Sequence, residues 1–269
     1  ILYAGATVVP INVLAAAPEV TYFLEDSGAR VLSVHPLFEA PGREGAAPLD
    51  AQVLLATSGD EADTVGSLTK LDPVDEPHKT SPQDTAVILY TSGTTGKPKG
   101  AELTHSNLLM NCTIVVPKLM PEAPDGGHRA LATLPLFHSF GQSVIQNGMI
   151  AIGGSITLLA RFTPEEAFEL IERDRLTIFA GVPTMYFALL HHKGDRAYDV
   201  STLRGCMTGG APMAVEVMGA FGEKFNVIIQ EGFGLSETSP IASFTVPDKP
   251  RKTGSIGYPV WGVEMCIVD

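Results

Sequence analysis

The stretch Thr85-Ala86-Val87-Ile88-Leu89-Tyr90-Thr91-Ser92-Gly93-Thr94-Thr95-Gly96-Lys97-Pro98-Lys99-Gly100 decides how the rest of this chain is read. Thr85 to Leu89 is an apolar run that reads as a buried strand. The eleven residues from Tyr90 to Gly100 then hold three glycines, four Ser or Thr hydroxyls and two lysines. A loop so rich in glycine can turn several backbone N–H groups toward one point, and the hydroxyl and ammonium groups add donors. That concavity suits a polyphosphate. The loop does not match a Walker A pattern, which has four residues between its glycines and Ser or Thr after Gly-Lys. Here two residues separate Gly93 from Gly96, and Pro98 follows Lys97. The competing reading is a flexible loop with no ligand.

Composition bounds what such a loop can serve. The chain has 269 residues, long enough for one large or two medium domains with a sizeable core. It is 45% hydrophobic and 18% charged, as an ordinary globular protein is. A net charge of −12 argues against nucleic acid as a partner, because a phosphate backbone demands a basic face. ATP needs only a local positive spot. Cys112, Cys206 and Cys266 lie far apart and in no metal-ligand spacing, so they read as small buried hydrophobes of a reducing, cytoplasmic compartment. No signal peptide or transmembrane segment is visible: the most apolar region, 143–160, is broken by Gln146, Asn147, Gly148, Gly153 and Gly154. Peripheral association with a membrane and a homodimer are left open. Residue 1 is Ile within an apolar run and Cys266-Ile267-Val268-Asp269 ends in strand-like sequence, so the chain is expected to be a piece of a longer protein.

Strand-like and helix-like segments alternate along the chain. Helices are expected over 18–28, from Thr104 to about 116, from about 141, from Pro164 behind a Thr163 N-cap, over 183–191 and over 213–221. Strands are expected over 30–34, 53–55, 85–89, 129–134, 155–159, 177–180, 203–208 and 227–230. Residues 58–83 read as a polar surface excursion, and 117–127, with three prolines and two glycines, as a boundary. Repeated βαβ units predict an α/β fold of two mostly parallel sheets covered by helices.

In such folds ligands sit at the carboxyl ends of strands. Four strand ends carry unusual residues: 91–100, Pro135 to Gly141, Thr208-Gly209-Gly210-Ala211-Pro212, and Glu231-Gly232-Phe233-Gly234-Leu235-Ser236-Glu237-Thr238. His138, flanked by aromatics, is either a catalytic imidazole or a satisfied core residue. His105, His191 and His192 read as structural. Glu237 beside Ser236 is a candidate Mg²⁺ ligand, its alternative a surface capping carboxylate. Phe233 between two glycines can present a flat face to a purine, or simply pack in the core.

The four motifs in this order resemble those of the adenylate-forming superfamily: acyl-CoA synthetases, luciferases and the adenylation domains of peptide synthetases. The segments Leu103-Thr104-His105-Ser106-Asn107 and Gly254-Ser255-Ile256-Gly257 are similar to that family's too. The Leu-Phe-His segment 136–138, the Gly-Leu-Ser at 234–236 and Phe179-Ala180-Gly181-Val182-Pro183-Thr184 look more like bacterial fatty-acyl-CoA ligases than peptide synthetases. Phe233 stands where Tyr is frequent, and Ser236 where Thr is usual.

The resemblance implies an enzyme that activates a medium- or long-chain fatty acid, or another small carboxylic acid, with ATP and Mg²⁺ and passes it to coenzyme A. Its rivals are an aryl- or amino-acid-activating enzyme of the same superfamily and a non-enzymatic nucleotide-binding module. By resemblance, Thr91, Ser92, Gly93, Thr94, Thr95, Gly96, Lys97, Lys99 and Gly100 form the phosphate loop, with Thr91 and Glu237 on the metal. Gly209, Gly210, Ala211 and Pro212 run along the adenine and acyl sites, Glu231, Gly232, Phe233 and Gly234 belong to the motif whose aromatic stacks on adenine, Ser236 meets the α-phosphate, and His138 meets the acyl carboxylate. Residues 1–118 are expected to form one αβ subdomain, 119–250 a second, and 251–269 the start of a small β-barrel. The family's ribose-binding aspartate and its C-terminal domain with the catalytic lysine are absent from this chain, so the chain alone is expected to be inactive.

Overall fold

A computed structural model of the chain describes residues 1–92, 96–194 and 196–268. Packing divides it into two compact units, Ile1–His105 and Ser106–Asp269.

In the first unit α1 (Ala17–Ser27) starts where the Glu19 carboxylate accepts from the Ala16 N–H at 2.8 Å, and it stops at Gly28, whose φ of 66° is left-handed. The strand β1 (Val31–Val34), helix α2 (Glu39–Ala46) and strand β2 (Gln52–Leu55) follow, with β1 and β2 parallel. The sequence gives no warning of α2, because Pro41, Gly42 and Gly45 fall inside it. Gly45 is needed for packing: a Cβ there would lie 2.6 Å from both the Ala17 carbonyl oxygen and the Val20 Cβ of α1. Val20, Leu24 and Ala46 close this small core.

The next element corrects the sequence reading. Lys99 to Thr104, expected as loop and helix cap, is the strand β4 (Lys99–Thr104). It runs antiparallel to β3 (Thr85–Thr91), with Tyr90 opposite Gly100 and Thr91 opposite Lys99. The glycine-rich loop is therefore the connection of a β-hairpin and not a turn from strand to helix.

The second unit opens with α3 (His105–Met110), which passes through a π-helical turn, Asn111–Val115, into α4 (Val116–Leu119). The boundary expected near 118 thus falls within one continuous helical stretch, whose Val115, Val116 and Leu119 belong to the core of this unit. The strand β5 (Arg129–Ala132) leads to a π-helical segment, Phe140–Asn147, and α5 (Gly148–Ala151). Then come β6 (Ser155–Leu158), α6 (Pro164–Arg173), β7 (Ile178–Gly181), α7 (Pro183–His191), β8 (Gly205–Thr208) and α8 (Val215–Phe225). The strands β9 (Ile229–Gly234), β10 (Ile241–Phe244) and β11 (Tyr258–Pro259) complete a seven-stranded sheet of order β11-β10-β9-β8-β7-β5-β6. The pairs among β5 to β9 are parallel, while β10 and β11 add antiparallel.

Strand alternation splits the hydrophobic residues between two faces. Ala130, Ala132, Ile178, Ala180 and Met207 pack with Val116, Ile145 and Met149. Leu131, Phe179 and Cys206 face Phe168, Tyr186 and Phe221 instead. Both faces are covered, which is what a parallel sheet requires. Tyr186 is wholly buried, and its hydroxyl lies 2.8 Å from the Met207 carbonyl and 3.1 Å from that of Phe179, linking β8 to β7. Burial holds its phenol well above the ordinary range.

Residues 251–268 contribute β11 alone, and no barrel forms among the described residues. The strand expected at 266–268 is absent, and Cys266 is exposed rather than buried, unlike Cys112 and Cys206.

Candidate active site

Each unit carries part of the candidate chemistry. In the first, Thr91 ends β3 half-buried, Ser92 is exposed, and Gly96 turns the chain with a φ of 91°. Lys97, Lys99 and Gly100 on the returning arm are exposed, so both ammonium groups are free to meet an anion from solvent. Gly93, Thr94 and Thr95 lie outside the described residues.

In the second unit the structure brings three of the four motifs together at the carboxyl ends of β5, β8 and β9. Gly209 follows β8; a Cβ on it would sit 3.5 Å from a ring carbon of Phe140 and 3.3 Å from the Gly232 carbonyl oxygen. One glycine therefore marks the meeting point of the 135–141, 208–212 and 231–238 segments. His138 is exposed in the turn after β5, with its N–H on the Pro135 carbonyl at 3.1 Å and its own carbonyl accepting from Gln142 N–H at 2.9 Å. That exposure excludes the satisfied-core reading of His138.

Glu231 is buried, and its carboxylate accepts from the Met213 N–H at 3.3 Å, fastening β9 to the loop that follows Gly209. Its other oxygen, Oε2, and the Oγ1 of Thr208 are buried with no hydrogen-bond partner among the described residues. The two residues are register partners on β9 and β8. Unpaired buried acceptors are costly. Thr208 ends β8, directly before Gly209.

Gly232-Phe233-Gly234 is strand rather than turn, and Leu235 to Pro240 closes the β9–β10 hairpin. Phe233 is exposed, as a stacking surface must be before its ligand arrives. Ser236 and Glu237 sit in the single turn Ser236–Thr238, with Glu237 exposed. The Thr238 hydroxyl accepts from the Leu235 N–H at 2.9 Å. Asn111 clamps the far side of this turn: its Nδ2 donates to the Thr238 carbonyl and its Oδ1 accepts from the Ile241 N–H, both at 3.4 Å. Sequence reading missed Asn111, because its partners lie 127 and 130 residues away. Among the described residues no three His, Cys, Asp or Glu side chains gather as a metal cluster. Hard oxygen donors suit Mg²⁺, which often takes one or two protein carboxylates and completes its shell with phosphates and water. The carboxylate of Glu237 in the second unit and the hydroxyl of Thr91 in the first are each donors of that kind.

A cleft of about 510 Å³ lies elsewhere, lined by Phe168, His192, Arg196, Tyr198, Lys224 and Phe225. It opens where α7 and α8 end, at the amino side of β8 and β9. Two of its basic groups are engaged: Lys224 donates to the Leu190 carbonyl at 2.7 Å and Arg196 pairs with Glu172 at 2.7 Å. The Lys224 contact opposes the negative end of the α7 dipole. The cleft is not where the motifs meet.

Known proteins carry the same pattern. The family described as AMP-binding enzyme matches residues 1–269. A long-chain-fatty-acid–CoA ligase of Bacillus subtilis (strain 168) is 39% identical over 176 residues, covering 65% of this chain and 31% of that protein. A feruloyl-CoA synthase of Amycolatopsis sp is 36% identical over 259 residues, covering 95% of this chain and 50% of that protein. The crystal structure of the anthranilate CoA ligase AuaEII in complex with anthranoyl-AMP superposes with a TM-score of 0.87 at 28% identity, over 98% of this chain and 52% of that one. The chain thus spans half or less of the curated relatives it matches.

Proposed function

Because the chain belongs to the family of AMP-binding enzymes, we propose that its protein activates a carboxylic acid with ATP and transfers the acyl group to coenzyme A. A carboxylate oxygen attacks the α-phosphorus, the bond to pyrophosphate breaks, and the thiol of coenzyme A then displaces AMP from the acyl-adenylate. The observation that carries this reading is the meeting of Phe140, Gly209 and Gly232 beside the unpaired acceptors of Thr208 and Glu231. Phe233 offers its exposed face to the purine ring.

In this reading Thr91, Ser92, Gly93, Thr94, Thr95, Gly96, Lys97, Lys99 and Gly100 hold the outer phosphates. Gly210, Ala211, Pro212 and Gly234 border the nucleotide, Ser236 meets the α-phosphate and His138 orients the acid. Glu237 and Thr91 would hold Mg²⁺, which supplies positive charge against the phosphate oxygens when bound. The residues themselves do the positioning, which is the main requirement of phosphoryl-type transfer.

The acid is most simply a fatty acid, on the strength of the 135–141 and 179–184 segments and the Bacillus relative. An aryl acid is the second reading, favoured by the feruloyl-CoA synthase match over 95% of the chain. A panel of fatty, aryl and amino acids, scored by acid-dependent pyrophosphate release and then by acyl-CoA formation in the intact parent protein, separates the two. Glu237→Ala is expected to abolish the release. Normal release in that variant refutes the role of Glu237, and no release with any acid refutes the activity. No helix among the described residues is long and apolar enough to cross a membrane.

A further inference from the structure

The glycine-rich loop is gripped at both flanks by one helix that lies outside every motif. Tyr22 and Asp26 are four residues apart on α1 and so share a face. The Tyr22 hydroxyl donates to the Pro98 carbonyl at 2.7 Å, on the arm leaving the loop. Asp26 accepts from the Tyr90 hydroxyl at 2.7 Å, on the arm entering it. Between these two bonds the rings pack, with Phe23 and Tyr90 centroids 4.6 Å apart and Tyr22 and Tyr90 6.1 Å apart. The Lys97 ammonium stands 5.9 Å from the centroid of the Tyr22 ring, at the edge of cation–π range. Every one of these contacts lies within the first unit.

We propose that Tyr22 and Asp26 are positioning residues for the phosphate loop, fixing the separation of its entering arm at Tyr90 and its leaving arm at Pro98 and so lowering the ordering cost of binding ATP. The proposal rests on the reading of the loop as a phosphate site. Its physical content is preorganisation: a hairpin connection left to itself must lose conformational freedom on binding, and flank contacts made in advance remove part of that cost. Pro98 lies just before β4, outside the β3–β4 ladder, so the Tyr22 bond holds the leaving arm where the ladder does not. Asp26 would repel a polyphosphate if left free. Its carboxylate is engaged by the Tyr90 hydroxyl, and burial together with this bond raises the Tyr90 phenol above its ordinary range.

The test uses Tyr22→Phe, which keeps the ring and removes only the bond to Pro98, and Asp26→Ala, in the intact parent protein. Amide hydrogen exchange over peptides covering 90–100 reads the positioning whether or not the protein turns over. Loss of one hydrogen bond predicts exchange about three- to ten-fold faster there, with the other peptides unchanged. The KM for ATP should rise by a similar factor while the KM for the acid holds, a split that general destabilisation does not produce. The proposal is overturned if neither variant speeds exchange at 90–100, if exchange rises equally across residues 1–105, or if a faster loop leaves the KM for ATP unchanged. If the unmodified protein shows no pyrophosphate release with any acid while the loop still responds, the activity reading fails and the positioning role stands.

Discussion

Gly232 leaves little room for a side chain in the second unit, and Gly232→Ala puts a number on that. Gly232 lies in β9 opposite Phe244 of β10. A Cβ on it would overlap Cδ2 of the Phe244 ring, approach Cε2 to 2.8 Å, and lie 2.9 Å from the Ser243 carbonyl oxygen. Phe244 is 5% exposed and Ser243 1%, so neither has solvent to move into. Overpacking of this kind costs about 1–3 kcal/mol. The stiffer unfolded chain returns about 0.4–1 kcal/mol, leaving a net loss of about 1–2 kcal/mol. For a domain of this size that lowers the thermal midpoint by about 2–8 °C. The natural control is Gly219→Ala in α8, where a Cβ meets nothing within 4 Å. There, helix propensity predicts a gain of up to about 1 kcal/mol. Thermal unfolding by circular dichroism should therefore move the two variants in opposite directions. The hairpin carries Phe233 and Glu237, so nucleotide affinity should fall in Gly232→Ala and not in Gly219→Ala. Equal shifts in the two midpoints, or a Gly232→Ala protein as stable as its parent, would refute the packing argument.

Tyr186→Phe deletes the buried hydroxyl that links β7 and β8, and one lost hydrogen bond predicts about 0.5–1.5 kcal/mol of destabilisation by urea unfolding. No measurable loss would show that the two strand carbonyls do not depend on it. His128 is buried at the start of β5, and burial lowers its pKa below the ordinary value against a smaller opposing pull from the Pro121 carbonyl. The unfolded chain therefore takes up a proton that the folded one resists, so stability is complete above the ordinary histidine range and declines as pH falls below about 6.5. His128→Gln should flatten the urea midpoint between pH 7 and pH 5; an unchanged slope would assign the dependence elsewhere.

What could be read from the sequence was what local rules write down. The helix Pro183–His191 is found where its proline start and apolar spacing place it, and Gly28 ends α1 as a left-handed cap. What could not be read was decided by distant partners. β4 carries Lys-Gly-Ala-Glu-Leu-Thr, with no alternation to announce a strand, and exists because β3 pairs with it. α2 forms across Pro41, Gly42 and Gly45 because α1 needs a glycine at the contact. Asn111 reaches across the second unit to the turn of Glu237, and nothing in its neighbours foretells this.

The same division explains the four motifs. Glycines and hydroxyls made them visible, and the 135–141 and 208–212 segments do follow the parallel strands β5 and β8 at their carboxyl ends. The phosphate loop and the 231–238 segment are antiparallel hairpins instead. A loop between a strand and a helix is held at one end by a ladder and at the other by a helix cap. A hairpin connection is held at both ends by the same ladder, so contacts on its arms fix how far apart its two ends stand. That is why the residues acting on these two loops, Tyr22 and Asp26 on one and Asn111 on the other, lie outside the motifs and grip the arms.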